Sequence, residues 1–554
     1  MNDNSVTRTA SDALQAKASA ICNAGYRPKV PCVEEYVSLV RQVCKDSSPK
    51  RQTPLVHAGY LLRTQAILST VYNFIYYLRS QTNSVGDATI ILLGCGLDVT
   101  GLWAATFPQI GNVIEIDLPT VCAEKRSILT DRSLVSFQET PTPNIQRGKL
   151  LQESSLSTES STRFSLVEAD IRKTIRWQNA LESVWSPRCP TLVISEVVLA
   201  YVGQEATNCV LSDWAQALQN RHSCLVLLEP LGPSNDNSTQ TNTVLKNYQL
   251  SYTKMFRDKM ERGGKADPDA FTPIGSSPLD AARRVRKAGW QSVVAASVAE
   301  ATQSAKLKIE EPFDEHAALL LHGHSYALVC AFSSSATSAL FRRVMAPWLS
   351  PMAPFQPNNN FWVATIDRTE EENVKSIFVD GYADLAKTNK SVKKLVQSTF
   401  KKDIVLTQVD ASMDGINFTS NFAKYHQDRR GCFLVAIDAK SQHIAGFIAI
   451  SKAPHHAKGI LSKHPNTFEV HRLFVVKEYR SQGVANFLMD SIQSFAVDQS
   501  PPGSTVTLVA ATLNVLDAAN RFYKRRGFDF EEELSLPEVT LYYYMLRISN
   551  SGIS

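Results

Sequence analysis

Residues 88–101 read ATIILLGCGLDVTG. Six apolar or β-branched residues, Ala88–Leu93, make a short run suited to a strand buried on both faces. Gly94-Cys95-Gly96 then lets the chain turn sharply and approach a ligand closely before a helix begins. An acid, Asp117, ends the next apolar run (VIEID), at about the spacing where a carboxylate meets nucleotide ribose hydroxyls. A dinucleotide fingerprint needs a third glycine, but Val99 stands there and Asp98 precedes it, which disfavours a pyrophosphate. An adenosine cofactor without phosphates, such as S-adenosylmethionine, is the better reading. The plainer alternative, a tight strand-to-helix turn with Asp117 as a helix cap, stays open on these residues alone.

Val56–Leu78 carries apolar residues at helical spacing without proline. Val113–Ile116, Thr191–Ser195 and Cys224–Glu229 are further short strands. Strands alternating with longer helical patterns predict an α/β domain with a mostly parallel sheet. Two polar stretches interrupt it: 131–163, expected to be a surface insertion unable to form a core, and 232–242, expected to be a loop. Ser333–Ser335 and the proline-rich MAPWLSPMAPFQPNNN (345–360) suggest an interdomain connector over 333–360. Beyond it, strands at Cys432–Ile437, Ile444–Ile450, Phe468–Val475, Val506–Ala510 and Tyr542–Leu546 alternate with helices, predicting an antiparallel-rich α+β domain.

The chain has 554 residues, 44% hydrophobic, with a formal charge of +5. That length implies more than one domain. Near-neutral charge without a basic stripe argues against a nucleic-acid partner. No apolar run reaches membrane-spanning length, and the N-terminus lacks a secretory apolar segment, so a soluble cytoplasmic protein, with the nucleus also open to it, is expected. The ten cysteines include no CxxC pair, which argues against zinc and for reduced, mostly buried thiols; no metal is expected.

Several blocks in order resemble the leucine carboxyl methyltransferase family: DALQAKASAICNAGY (12–26), HAGYLLRTQAI (57–67), LLGCGLDVTG, VIEIDLP, LVEADIRK (166–173), LVISEVVLAYV (192–202), RRVRKAGW (283–290) and FDEHAALLLHGHSYALV (313–329). They span about residues 10–332. The resemblance implies a class I S-adenosylmethionine-dependent methyltransferase fold that methylates a carboxylate, such as the C-terminal leucine of protein phosphatase 2A catalytic subunit. It also implies roles. Arg63 would grip the methionine carboxylate with Lys17 as a second cation; Gly94 and Gly96 would admit the cofactor backbone-close. Asp117 would read the ribose, Asp170 and Ile171 the adenine, and Glu196 would lie under the cofactor with Tyr201 on the substrate side. Singly, each residue has a blander reading as a surface, turn or cap residue. A branch of the family acting on wybutosine in transfer RNA, or a small-molecule carboxylate, remains an alternative.

The C-terminal third holds FEVHRLFVVKEYRSQGVANFLMDSIQSFA (468–496) and ANRFYKRRGF (519–528). Arg480, Gln482, Gly483, Val484 and Ala485 form a turn whose following helix start would point free N–H groups at a diphosphate. The pair of motifs resembles the GCN5-related N-acetyltransferase (GNAT) superfamily over about 361–550, implying acetyl-coenzyme A. The resemblance implies that Val476 offers its backbone to the pantetheine arm, that Tyr523 protonates the departing thiolate, and that Glu469 serves as general base. Leu516 stands where the superfamily often has asparagine, so a non-catalytic acetyl-coenzyme A sensor or partner-binding module is the alternative. The acetyl acceptor is not legible.

Overall fold

A computed structural model describes residues 3–44, 49–81, 86, 88–138, 144–150, 162–173, 179–218, 220–233, 240–261, 271–309, 311, 314–350, 352–388, 431–452, 466–535 and 540–549. The chain divides into two compact units, Met1–Trp348 and Leu349–Ser554.

The first unit is built on a nine-stranded sheet. Its strands are β1 (Ala88–Leu93), β2 (Ile110–Asp117), β3 (Val135–Gln138), β4 (Ile145–Leu150), β5 (Arg163–Glu168), β6 (Thr191–Glu196), β7 (Cys224–Pro230), β8 (Ser292–Ser297) and β9 (Tyr326–Phe332). They lie in the order β3-β4-β5-β2-β1-β6-β7-β9-β8. The central pairs β5–β2, β2–β1, β1–β6 and β6–β7 are parallel. Every residue of β1 is buried, as its unbroken apolar run requires. Strand order reverses at β1, flanked by β2 and β6, so a crevice opens beyond the carboxyl ends of these three strands. The helix Pro54–Gln81 covers the predicted 56–78 and starts on proline, which needs no N–H partner there.

Two expectations are corrected. The segment 131–163 is not wholly an insertion without regular structure: β3 and β4 extend the sheet edge through antiparallel pairing with each other and with β5. Their backbone groups are satisfied by pairing, and only Val135 and Ile145 need burial. Residues 151–161 of that segment, and 234–239 of the 232–242 stretch, lie outside the described residues. The 333–360 segment is divided rather than a free connector. A helix, Ala339–Met345, buries Phe341 against Phe74, Tyr77 and Phe332 in the first unit. Phe355–Asn358 forms a strand of the second.

The second unit holds an eight-stranded sheet, β10 (Phe355–Asn358), β11 (Phe361–Thr365), β12 (Cys432–Asp438), β13 (Ile444–Lys452), β14 (Thr467–Val475), β15 (Thr505–Leu513), β16 (Asp529–Ser535) and β17 (Thr540–Ser549), in the order β10-β11-β12-β13-β14-β15-β17-β16. Only β14–β15 is parallel, and it pairs just from Thr467–Thr507 to Val470–Ala510. Beyond Val470 the two strands part, leaving a wedge in the sheet. The helix Val484–Asp498 lays Leu488, Met489, Ile492 and Phe495 on one face of the sheet.

Candidate functional sites

The carboxyl ends of β1, β2 and β6 meet helices 3–18 and 54–81 around a cavity of about 600 Å³, within the range for small-molecule sites. Lys17, Arg63, Gly94, Gly96, Asp117, Asp170, Ile171, Glu196 and Tyr201 all line it. The structure thus brings together every site residue expected for this half.

Gly94 and Gly96 have φ of +60° and +53°. A Cβ on Gly94 would come within 2.6 Å of the Val198 side chain, so glycine is required both for the turn and for the close approach. Asp117 accepts the N–H of Gly96 at 2.8 Å and of Leu118 at 2.7 Å. The glycine turn therefore fixes the acid's orientation. Burial pushes the Asp117 carboxyl above its ordinary range, with the two N–H groups opposing it.

Facing these is a partly buried charge cluster, with Lys17 its most enclosed member. Lys17 Nζ donates to Asp98 at 2.7 Å and to Glu196 at 2.9 Å, and Arg63 Nη2 donates to the other oxygen of Glu196 at 2.9 Å. Burial would lower the Lys17 pKa, but Asp98 and Glu196 outweigh it and hold the ammonium above its usual value. Burial would raise Asp98, yet Lys17 and the Thr100 N–H bring it to about 2. Arg63 Nε is buried without a partner among the described residues. Its guanidinium lies 4.8 Å from the Tyr60 ring centre and 5.5 Å from that of Tyr326. An unspent donor beside a cradle that only glycine permits fits a ligand carrying a carboxylate, as the amino-acid end of S-adenosylmethionine does.

Asp170 sits at the rim, its carboxylate gripped by Arg172 through two 2.8 Å bonds. Burial raises its pKa, but Arg172 lowers it further. Tyr201 packs on Phe256 and Phe271, and burial holds its hydroxyl protonated, well above the ordinary phenol range. With Tyr252, Met255 and His322 it makes an aromatic, apolar end to the cavity. Burial and then Arg63 lower His322 to about 4, so its imidazole is neutral.

Sequence reasoning missed three features. From sequence Asp98 stands out only as an obstacle to phosphate, whereas in the fold it is the mate of Lys17. Helix 3–18 forms a wall of the cavity through residues including Thr9, Ala10 and Ala13. Glu229, the next-to-last residue of β7, is fully buried. Its carboxylate accepts Ser195 Oγ–H and the N–H groups of Val198, Leu199 and Ala200. It thereby holds the turn after β6, where Val197 has φ of +56°, a strained conformation for a β-branched residue.

In the second unit, Gly483 (φ +85°) caps the helix Val484–Asp498, whose start has no side-chain cap. The first N–H groups are therefore open to an anion. Val484 buries its side chain in the core, leaving only its backbone for a ligand, and Ala485 follows it on the helix. Arg480 Nε donates to Val475 O, and Gln482 Nε2 to Glu478 O, bracing the turn. Val476, expected to offer its backbone to a ligand, has that backbone engaged within the fold. Its N–H donates to Ala445 O, and its carbonyl accepts from Tyr479. That N–H is spent inside the fold, and the unpaired edge of β14 lies before it, beyond Val470. Tyr523 is buried, stacked on Tyr544 and edge-on to Phe528. Glu469 alternates with core residues Phe468 and Val470, so it faces the other side of the sheet. There His471, not singled out from sequence, lies 3.8 Å from it and bonds Ser451 Oγ at 2.9 Å.

A parallel-centred sheet with its glycine turn at the reversal of strand order, and an acid closing the next strand, defines a Rossmann-like methyltransferase fold in the first unit. The parted parallel pair and glycine-capped helix define an acetyltransferase-type fold in the second. Residues 37–215 match the leucine carboxyl methyltransferase family and residues 405–528 the acetyltransferase (GNAT) family. The chain carries these two domains in that order, the first of a family that uses S-adenosylmethionine and the second of one that uses acetyl-coenzyme A. Leucine carboxyl methyltransferase 1 of Candida albicans is 30% identical over 202 residues, 35% of this chain and 52% of its own. The tRNA wybutosine-synthesizing protein 4 of Eremothecium gossypii is 23% identical over 337 residues, 57% of this chain and 42% of its own. The human protein of that name is 24% identical over 275 residues, 48% and 36%. The chain thus spans about a third to a half of these relatives. Among solved structures, a GNAT-family acetyltransferase from Staphylococcus aureus MU50 aligns with 34% of this chain and 98% of its own at 14% identity, TM-score 0.23.

Proposed function

We propose that the first unit is a carboxyl O-methyltransferase acting on a protein C-terminal leucine carboxylate, as in protein phosphatase 2A catalytic subunit, and that the second is an N-acetyltransferase. The observation that carries the methyltransferase reading is the Lys17–Asp98–Glu196–Arg63 cluster facing the glycine turn and Asp117 across one cavity. S-adenosylmethionine supplies an electrophilic methyl group on its sulfonium. Arg63, oriented by Glu196, offers its open Nε edge to the methionine carboxylate. Asp117 accepts from the ribose hydroxyls, while Asp170 and Ile171 border the adenine. A carboxylate acceptor is ionised at neutral pH, so no general base is needed. Tyr201, kept protonated, donates to the acceptor and orients it, and the aromatic end of the cavity excludes water.

That apolar end, with neutral His322, suits a leucine side chain. Exposed Met255 and Val56 at the cavity suit an apolar protein acceptor. A second reading, a carboxylate on a transfer RNA, draws support from the relatives named for wybutosine synthesis. Incubation with labelled methyl donor separates them. Label entering a peptide with a free C-terminal leucine, but not its amide, supports the first reading. Label entering only transfer RNA supports the second.

In the second unit Gly483 and the helix start hold the diphosphate of acetyl-coenzyme A, braced by Arg480 and Gln482. Glu469, with His471, serves the acceptor amine. The enclosure of Tyr523 among aromatic rings favours keeping a non-catalytic, acetyl-coenzyme A-binding reading beside this one. Thiol release with a panel of amines decides between them. All ten cysteines are free, and no helix among the described residues is long and apolar enough to cross a membrane. We place the protein in the reducing cytoplasm.

A further inference from the structure

Outside the cavity, Ser19, His57 and Glu311 form a chain of hydrogen bonds. Ser19 Oγ lies 2.8 Å from His57 Nε2, and His57 Nδ1 lies 2.6 Å from Glu311 Oε2. Ser19 and His57 are wholly buried, and the Glu311 side chain is 6% exposed. These are the distances of a serine–histidine–acid triad, but the valences tell against a nucleophile. Ionised Glu311 only accepts, so Nδ1 carries the proton and Nε2 accepts the Ser19 hydroxyl. Ser19 Oγ in turn accepts the Gln52 N–H at 3.1 Å and Asn23 Nδ2 at 3.3 Å. One donor and two acceptors are the full capacity of a hydroxyl. None of the three residues lines the cavity.

Their position gives the chain another use. Helix Asp3–Ala18, which lines the cavity through Thr9, Ala10 and residues 12–17, widens at Ser19 into a π-helical turn, Ser19–Asn23. Such turns are unfavourable in isolation and cluster at functional sites. Ser19 lies two residues after Lys17, the cation that crosses to Asp98 and Glu196. His57 sits on the helix that carries Arg63. Arg51 adds a second contact to Glu311 at 2.6 Å.

We propose that Ser19, His57 and Glu311 are positioning residues, a latch that holds the N-terminal helix closed over the methyl-donor cavity and sets Lys17 in register with Arg63. The latch rests on the fold alone, while its effect on S-adenosylmethionine rests on the methyltransferase reading. The test uses the full chain and Ser19→Ala, which removes one hydroxyl and almost no volume, with Glu311→Gln as a second variant. Hydrogen exchange without ligand should show faster exchange across residues 3–18 in both variants, with the sheet protection unchanged. Calorimetry should show S-adenosylmethionine affinity weaker by about tenfold, the worth of roughly one hydrogen bond. At saturating cofactor, turnover should stay within about twofold, the pattern of lost ground-state positioning. Unchanged exchange over 3–18 and unchanged affinity in both variants would overturn the latch. Covalent labelling of Ser19 by a fluorophosphonate would overturn it too, since that requires an accessible nucleophile. Faster exchange in a protein whose wild type binds no S-adenosylmethionine would leave the latch standing and remove the methyl-donor reading.

Discussion

In the methyltransferase reading proposed above, Arg63 is the residue on which cofactor binding turns. Glu196 takes Nη2, so the guanidinium is already aimed and one buried donor is left to spend. Gripping a carboxylate equally in ground and transition state is uniform binding, so its loss raises KM more than it lowers kcat. Arg63→Ala should raise the S-adenosylmethionine KM about 10- to 100-fold in initial-rate assays, the range for a hydrogen bond to a charged group. Arg63→Lys should also be defective, since lysine keeps the charge without the planar fork. A normal cofactor KM with a ruined acceptor KM would reassign Arg63 to the acceptor. Glu229 makes a different prediction. Burial pushes its carboxyl from 4.5 up to about 7 despite four hydrogen-bond donors. Between those values the folded protein binds a proton that the unfolded chain does not, so this group's contribution falls as pH rises through the window. The shift is worth up to about 3 kcal/mol. Denaturant titrations of wild type and Glu229→Gln from pH 4.5 to 7.5 should therefore show the variant gaining relative stability as pH rises.

At the scale of elements, the glycine-capped helix of the second unit makes the sharpest claim. Gly483→Glu puts a side chain at φ +85° and an anion where the diphosphate is to sit. Acetyl-coenzyme A binding should fall below detection in calorimetry, while S-adenosylmethionine binding stays normal. Loss of both would mean the variant misfolds or the two units are not independent. This element was legible because strand, glycine turn and amphipathic helix are all local in sequence. The run ATIILLGCG was legible for the same reason, and β1 forms over the residues expected. The features that escaped are nonlocal. β3 and β4 carry too few apolar residues to announce themselves, and they exist because β5 offers an edge. Glu229 looked like the polar end of an apolar strand until the 195–200 turn folded onto it. Ser19 and His57 are 38 positions apart, and His57 and Glu311 are 254 apart. No spacing rule connects them. Val476 shows the converse: the motif suggests a backbone contact to a ligand there, and its N–H already donates to Ala445 O within the fold.

At the scale of the whole molecule, two units, each with its own sheet and core, each carry one proposed ligand site. Each site stands where its sheet's regular pairing is interrupted: at the reversal of strand order in one, and at the parting of β14 from β15 in the other. The first site is the better furnished, because opposite charges, glycine turn and anchored acid converge on one cavity. We propose that this cavity binds S-adenosylmethionine through Asp117. Titration calorimetry of S-adenosylmethionine into the full chain and into Asp117→Ala, with thermal melts confirming that both fold, tests this directly. One site per chain is expected in the wild type, and the variant should bind about 1.5–3 kcal/mol more weakly, the range for hydrogen bonds to a charged group. Equal affinity in the two folded proteins, or no binding to the wild type, would contradict it.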